Sequence, residues 1–465
     1  MSDARQPPRI VAAAFFILAF VAATVPLHSY DLFWHLATGR WILEHRGLPA
    51  ADPFAIASDR APWVNGEWLF DGAVELLQRM VGLSGLSILR ALMAAGLFAL
   101  IFVLASRSAG APLAALASAI AFAGANPLLD VRPASLAPLF LVAAIVTARR
   151  SATAFVIITI LWMNVHPSAL LAPLVMLAMT FSASRTLAAA AALLVNPYGW
   201  RGIAAPLALN QLVTSGAFTN AEWQRSSPFV FPLLYAAIIA AAVLFIRSKE
   251  RQASHAILFV VLALLAVLHV RHQPLFFAAL PLLLPPAVVA PRAAYGTAFS
   301  ILGISLLLAP HGVGLSPHRW PVAAVARLKA SGLRGNIYNP DQFGGFLIWS
   351  FYPERRVLTD GRNELYRTFI GEYARARGDQ HAWEALLKKY RIDLAVDEYR
   401  RSEVQVVDAV TGKRTLMPAS LVYWPRSRWA LIAYDESGMV FARREVFAPE
   451  VLQRWELRGV VPDAR

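Results

Sequence analysis

The sequence predicts an α-helical polytopic membrane domain of about eleven spans, followed by an extracytoplasmic α/β domain. Three observations lead there. The 465 residues are 57% hydrophobic and only 15% charged, against about 25% charge in an ordinary soluble domain. Residues 1–310 hold 19 Lys and Arg and 11 Asp and Glu, whereas 311–465 hold 24 and 18. The first part is therefore apolar runs separated by short basic loops, and the second has soluble charge density. The formal charge of +14 suits either nucleic acid or the cytoplasmic loops of a membrane protein. Its placement decides for the loops, and no pattern of nucleic-acid recognition accompanies it. The absence of cysteine excludes a disulfide scaffold, thiol catalysis and thiolate metal sites. The high apolar content excludes intrinsic disorder.

A span needs about 17–25 apolar residues. In order, the candidates are Ile10–Leu27, Leu83–Ala105, Ala111–Leu129, Pro133–Ala148, Ala152–Val165, Pro167–Ser182, Thr186–Val195, Pro228–Ile246, Ser254–Val270, Pro274–Ala290 and Ala293–Pro310. The short middle ones read as inner helices shielded by the others. The first has a basic start and no small-residue cleavage site, and reads as an uncleaved signal anchor. With a cytoplasmic N-terminus, Arg5, Arg9, Arg107, Arg149, Arg150, Arg185, Arg247, Lys249, Arg251 and Arg292 lie inside, as the positive-inside rule requires. The short outer turns keep Arg132 and Arg271, and the outer segment 196–227 adds Arg201 and Arg225. An odd number of spans puts residues 311–465 outside.

The first outer loop, residues 28–82, concentrates the scarce acids: Asp31, Glu44, Asp52, Asp59, Glu67, Asp71 and Glu75. It also holds Trp34, Trp41, Trp63 and Trp68, a residue favoured at membrane interfaces. Tyr30–His45 reads as an interfacial helix with Asp31, His35, Thr38 and His45 on one stripe. Arg40 lies farther round and is placed to anchor to headgroups. Gly47 and Pro49 end the helix, and Asp52-Pro53 starts a turn. A second helix, from about Glu67 to Met80, aligns Glu67, Asp71 and Glu75 as a solvated face, with Arg79 paired to Glu75. Asp31 beside His35 suits general-base chemistry. From the residues alone, the plainer reading of Asp31 is a helix N-cap or a solvated acid.

These residues resemble a group of bacterial polytopic proteins in the GT-C glycosyltransferase superfamily, whose better-known relatives are the protein O-mannosyltransferases and the lipid A aminoarabinose transferases. The stretches concerned are Asp31-Leu-Phe-Trp-His-Leu-Ala-Thr-Gly-Arg-Trp-Ile-Leu, Gly47-Leu-Pro49, Asp52-Pro-Phe54 and Trp63-Val-Asn-Gly-Glu67-Trp-Leu. Arg132-Pro133, Trp162-Met-Asn-Val-His166, Asn196-Pro-Tyr-Gly199, Glu222-Trp-Gln224 and Arg271-His272 add to them. So do Gly335-Asn-Ile-Tyr-Asn339, Gly344-Gly345 and Asp360-Gly-Arg362.

The resemblance implies an active site on the outer face of the bacterial inner membrane. It implies a polyprenyl-phosphate sugar donor and an acceptor that is a glycan, a lipid or a protein. It implies that Asp31 is the catalytic base, with Asp52 as the assisting carboxylate of the same loop. Relatives often carry two adjacent acids at the first position, whereas here Leu32 follows Asp31. His35 is placed to orient Asp31. A lipid phosphate leaving group needs cations, and Arg132, Arg271, His272 and Arg201 are the outward candidates, with His166 and Glu67 as further substrate contacts. Each boundary Arg also has the plain reading of snorkelling to headgroups. No metal-ligand spacing is present, so no metal or other cofactor is assigned, and a divalent ion has no support in the sequence. A non-catalytic scaffold that binds lipid or a partner enzyme is the alternative. A transporter is disfavoured by the lack of an inverted repeat, with Arg90, inside a span, as the main contrary feature.

Residues 318–465 read as strands Gly335–Asn339, Arg356–Thr359 and Asp393–Asp397. Helices are read at Gln342–Ser350, Glu364–Arg377 and His381–Tyr390, and a hairpin joins Trp429–Tyr434 to Met439–Arg443 across Asp435-Glu-Ser-Gly438. The alternation suggests a small sheet with flanking helices. Gly344-Gly345 and Asp360-Gly-Arg362 have two readings, an acceptor site or tight turns with a salt bridge. No Gly-rich phosphate loop occurs.

Overall fold

A computed structural model describes residues 7–60, 62–214, 220–285, 290–399, 402–407 and 411–463; Arg5 lies outside them. The chain forms two compact units, Met1–Ser29 with Val64–Leu315, and Tyr30–Trp63 with Ser316–Arg465. Composition placed a single boundary at residue 310. The first half of the first loop, however, belongs to the second unit, because its backbone bonds are made with residues 357–365.

The first unit is helical. Every apolar run expected as a span is a helix over most of its length, from Arg9–Ala23 to Ala293–Leu308. Small and aromatic residues such as Ala94, Ala95, Phe98, Phe102, Ala121 and Phe122 build its core. Among the described residues only Trp68–Ala109 and Ala111–Leu128 are long and apolar enough to cross a membrane alone. The others are shorter; in three of them a 3-10 turn takes residues from the run, opened by Pro133 and by Pro167 and, in the third, ending just before Gln273-Pro274. A bilayer core of about 30 Å corresponds to about 20 residues at 1.5 Å each.

The helix Trp68–Ala109 is broken at Gly82, whose φ of 67° and ψ of −179° form a backbone region open essentially only to glycine. This break separates the expected interfacial helix from the expected span. The half before the break departs from its expected polarity. Asp71 and Glu75 are buried, while Leu76, Leu77, Met80 and Val81 are exposed. The acids are an inward face, not a solvated one. Asp71 accepts from Asn65 Nδ2 at 2.7 Å and Glu75 from Arg79 Nε at 2.8 Å, so their burial is paired.

Arg90 is also satisfied internally. Its guanidinium donates to the backbone carbonyls of Ala23, Asn126 and Leu129. These are at or near helix C-termini, where a cation is favoured, so Arg90 ties helix ends together.

The second unit holds a four-stranded sheet in the order β1-β2-β6-β5, with β1 Asn336–Tyr338, β2 Ile392–Glu398, β5 Trp429–Tyr434 and β6 Gly438–Arg443. β1 and β2 run parallel, and the other pairs are antiparallel. β5 and β6 are buried on both faces over most of their length. The expected strand Arg356–Thr359 is reduced to single bridges from Val357 to Ile337 and to Ala55. The sequence reading missed the hairpin of β3 Glu403–Val407 with β4 Arg414–Pro418, together with the helices Val322–Ser331 and Pro449–Trp455.

Candidate functional site

In the second unit the first loop begins with the helix Leu32–His45, ended by Arg46 in the left-handed region (φ 52°, ψ 37°). The predicted stripe is split: His35 and Thr38 are buried, whereas His45 is exposed. Arg40 points its guanidinium to Trp349, donating to its carbonyl at 3.5 Å.

Asp52 then makes the expected turn, accepting from the backbone N–H groups of Phe54 at 3.2 Å and Ala55 at 3.0 Å. The segment continues beside residues 357–365, with Ile56 N–H donating to Val357 O at 2.9 Å, Ala57 N–H to Leu358 O at 3.1 Å and Asp59 N–H to Leu365 O at 2.8 Å.

A buried ion cluster fixes this arrangement. Arg362 Nη2 lies 2.9 Å from Asp52 Oδ1 and 2.5 Å from Asp360 Oδ2, and Arg362 Nε donates to Asp360 Oδ1 at 2.8 Å. The Tyr366 hydroxyl donates to Asp360 Oδ2 at 2.7 Å. All three charged side chains are at most 1% exposed. The Arg362 guanidinium packs on aromatic faces, 4.6 Å from the Trp63 ring centre and 5.3 Å from that of Phe54, a favourable setting for a desolvated cation. Burial opposes ionisation of Asp360, but the charge and hydrogen bonds of Arg362, with the Tyr366 hydroxyl, outweigh it and hold the carboxyl below its usual range. Asp360-Gly-Arg362 is thus a turn with a salt bridge, the plainer of its two readings. Gly344-Gly345 likewise serves packing: a Cβ on Gly344 would lie 2.6 Å from Asp360 Cα, and one on Gly345 would lie 3.0 Å from Trp34 N.

Asp31 stands at the start of its helix, yet its carboxylate makes no capping bond. Instead Oδ1 accepts from Trp34 Nε1 at 3.3 Å, and the flank of Gly361 faces the same oxygen. The His35 ring stacks beside Trp34 at 3.6 Å between ring centres. Half-buried Glu364 sits one short turn beyond. Burial raises its carboxyl above the usual range. Its own backbone N–H and Arg362 oppose this, while Asp360 and Asp31 reinforce it.

The first unit carries two polar clusters. In one, Glu67 lies 3.8 Å from His166 Nε2. His166 Nδ1 accepts from the Ser168 N–H at 3.1 Å, which leaves Nε2 as the protonated nitrogen of the neutral ring. Trp68 Nε1 donates to Asn164 Oδ1 at 2.9 Å, so the Trp-Met-Asn-Val-His run meets the end of the first loop.

In the other, the segment 220–226 joins two turns. Arg132 pairs with Glu222, the Arg271 guanidinium lies 4.4 Å over the Trp223 ring, and the Trp223 carbonyl lies 2.7 Å from His269 Nδ1. His272 packs edge-on to His269. Arg201 is exposed on the helix Trp200–Thr214.

Sequence reasoning missed Asp130. Its Oδ2 accepts from the backbone N–H of His28 at 2.8 Å and of Ser29 at 2.5 Å, and it faces His28 Nδ1 at 3.1 Å. Its signal was available as the one acid between two apolar runs. Among the described residues, no three His, Asp or Glu side chains gather as a metal site.

No family model matches the chain, and no curated relative matches it. Solved structures do. The crystal structure of the Archaeoglobus fulgidus oligosaccharyltransferase in its apo form has a TM-score of 0.57 and 10% identity, over 83% of this chain and 69% of that one. The archaeal oligosaccharyltransferase AglB from Archaeoglobus fulgidus, in complex with an inhibitory peptide and a dolichol-phosphate, has a TM-score of 0.55 and 10% identity, over 88% and 74%. At that identity the likeness is one of fold, and it agrees with the helical part and C-terminal sheet-bearing part expected from the sequence.

Proposed function

We propose that the chain is a membrane glycosyltransferase of the GT-C type, which moves a sugar from a polyprenyl-phosphate donor to an acceptor on the extracytoplasmic face. The observation that carries this reading is the shared fold with oligosaccharyltransferases over 83–88% of the chain; Asp31 stands at the start of the helix Leu32–His45, the next α-helix after the first apolar one. One of those structures is a complex with a dolichol-phosphate and a peptide, which supports a lipid-linked donor and leaves a protein acceptor among the candidates.

In this mechanism Asp31 takes the proton of the acceptor nucleophile as that atom bonds to the anomeric carbon, and the bond from that carbon to the phosphate oxygen breaks. The leaving polyprenyl phosphate is held by Arg271 and Arg132, with Arg201 as a further cation; His272, expected from the sequence as a cation, is instead a neutral hydrogen-bonding group near pH 7, because burial and the neighbouring Arg271 lower its pKa to about 4. Glu67 and His166 contact the sugar or acceptor. Asp52 assists by holding Arg362, and His35 by supporting the turn of helix that carries Asp31.

Asp31→Asn, assayed in membranes with radiolabelled polyprenyl-phosphate sugars, is expected to lower transfer by roughly a hundred-fold or more. Undiminished transfer overturns the role of Asp31. A non-catalytic scaffold is the second reading, favoured by one observation: the Asp52 carboxylate is committed to Arg362 and two backbone N–H groups. Turnover by the wild-type protein separates the two readings.

A further inference from the structure

The turn at residues 360–362 does more than close a salt bridge. A Cβ on Gly361 would stand 3.1 Å from Asp31 Oδ1, closer than an ordinary van der Waals contact. The turn cannot drift away from that carboxylate. Arg362 anchors it to Asp52 and Asp360 in a fully buried cluster, and Gly344 and Gly345 let one helix, Asp341–Phe351, touch both Asp360 and the backbone of Tyr30 and Trp34. Three glycines therefore occupy the three places where a side chain would push the turn, that helix and the Asp31 segment apart. Glu364 follows in the same turn and is electrostatically coupled to Asp31.

We propose that the Asp360-Gly361-Arg362 turn is the positioning element for the Asp31 carboxylate, with Gly361 as its positioning residue. The inference rests on the glycosyl-transfer reading given above. Gly361 has no group to react or to bind substrate. It acts by leaving room for the carboxylate against the turn, where a side chain would crowd it, and a small displacement of a reacting group costs roughly ten- to a hundred-fold in rate.

The test is Gly361→Ala in the full-length protein, with Gly371→Ala as the control because a Cβ at 371 meets nothing within 4 Å. Gly361→Ala is expected to lower kcat about ten-fold or more while donor KM stays within about two-fold. Its unfolding temperature should match that of Gly371→Ala. On the Asp31→Asn background it should cost nothing further, since the residue it positions is already gone. An unchanged kcat overturns the inference, and so does an equal loss on the Asp31→Asn background. If the wild-type protein transfers no sugar, the glycosyl-transfer reading falls by itself. The positioning is then read from carbodiimide labelling of Asp31 by mass spectrometry. A several-fold change in labelling rate in Gly361→Ala supports it, and an unchanged rate overturns it.

Discussion

Asp360 and Glu364 share one turn yet ionise in opposite senses, because Arg362 bonds directly to the first and reaches the second only through space. Asp360 is held below the ordinary value of 3.8, so its contribution to stability is present above that pH and is lost as pH falls through the folded value. Glu364 is raised above 4.5, so the folded state holds its proton more tightly, and the group becomes a cost as pH rises through 4.5 and beyond. Asp360→Asn is therefore expected to destabilise by about 3–5 kcal/mol near pH 7, the usual result of breaking a buried pair, with the deficit shrinking below about pH 4. Glu364→Gln is expected to match the wild type near pH 4 and to exceed its stability near pH 7. Thermal unfolding across that range checks both signs. Asp31 and Asp52 differ in their bonding: Asp52 has its oxygens bound by Arg362 and the Phe54 and Ala55 amides, whereas Asp31 makes no side-chain cap bond to its own helix and accepts from Trp34 Nε1.

The helix Trp68–Ala109 changes the character of its buried face at one glycine. Before Gly82 the helix buries Asp71 and Glu75 and exposes Leu76, Leu77, Met80 and Val81. After it the helix buries Ala91, Ala94, Phe98 and Ile101. A soluble amphipathic helix has its apolar stripe inward. The reversed polarity of residues 68–81 is expected where the outer surroundings are lipid. Gly82→Ala is expected to cost about 1–3 kcal/mol, because alanine cannot adopt the backbone region at this break without strain. Thermal unfolding of the detergent-solubilised protein measures it. The sequence showed both segments, since Met80 ends one pattern and Leu83 opens the next. It did not show which face is buried. Glu67, Asp71 and Glu75 recur at helical spacing whether they face water or face Asn65 and Arg79.

The molecule as a whole interleaves two compact units along one chain, with Tyr30–Trp63 joined to the C-terminal sheet unit and not to the helices that flank it in sequence. The proposed orientation puts the N-terminus and Arg185 inside and residues 311–465 outside. Because the chain has no cysteine, single-cysteine variants report cleanly. Ser427→Cys is expected to react with a membrane-impermeant maleimide in intact cells, and Ser184→Cys only after permeabilisation. The reverse pattern would overturn the orientation. Both positions are exposed, so lack of labelling reflects the membrane and not burial.

By itself the sequence determined the helical character of residues 1–310, the break before Leu83, the Asp52 turn, the Glu75–Arg79 pair and the hairpin from Trp429 to Arg443. Each is local: hydrophobic period, turn chemistry and i,i+4 spacing act over a few residues. It also marked the first loop as the place where the acids gather. Only the tertiary structure decided which acids enter the buried ion cluster and which cation each of them meets. Asp52 and Arg362 are 310 positions apart, and Gly361 meets Asp31 across a similar interval of sequence. No periodicity records such pairings, because buried charge is neutralised by whatever the fold brings within hydrogen-bond reach.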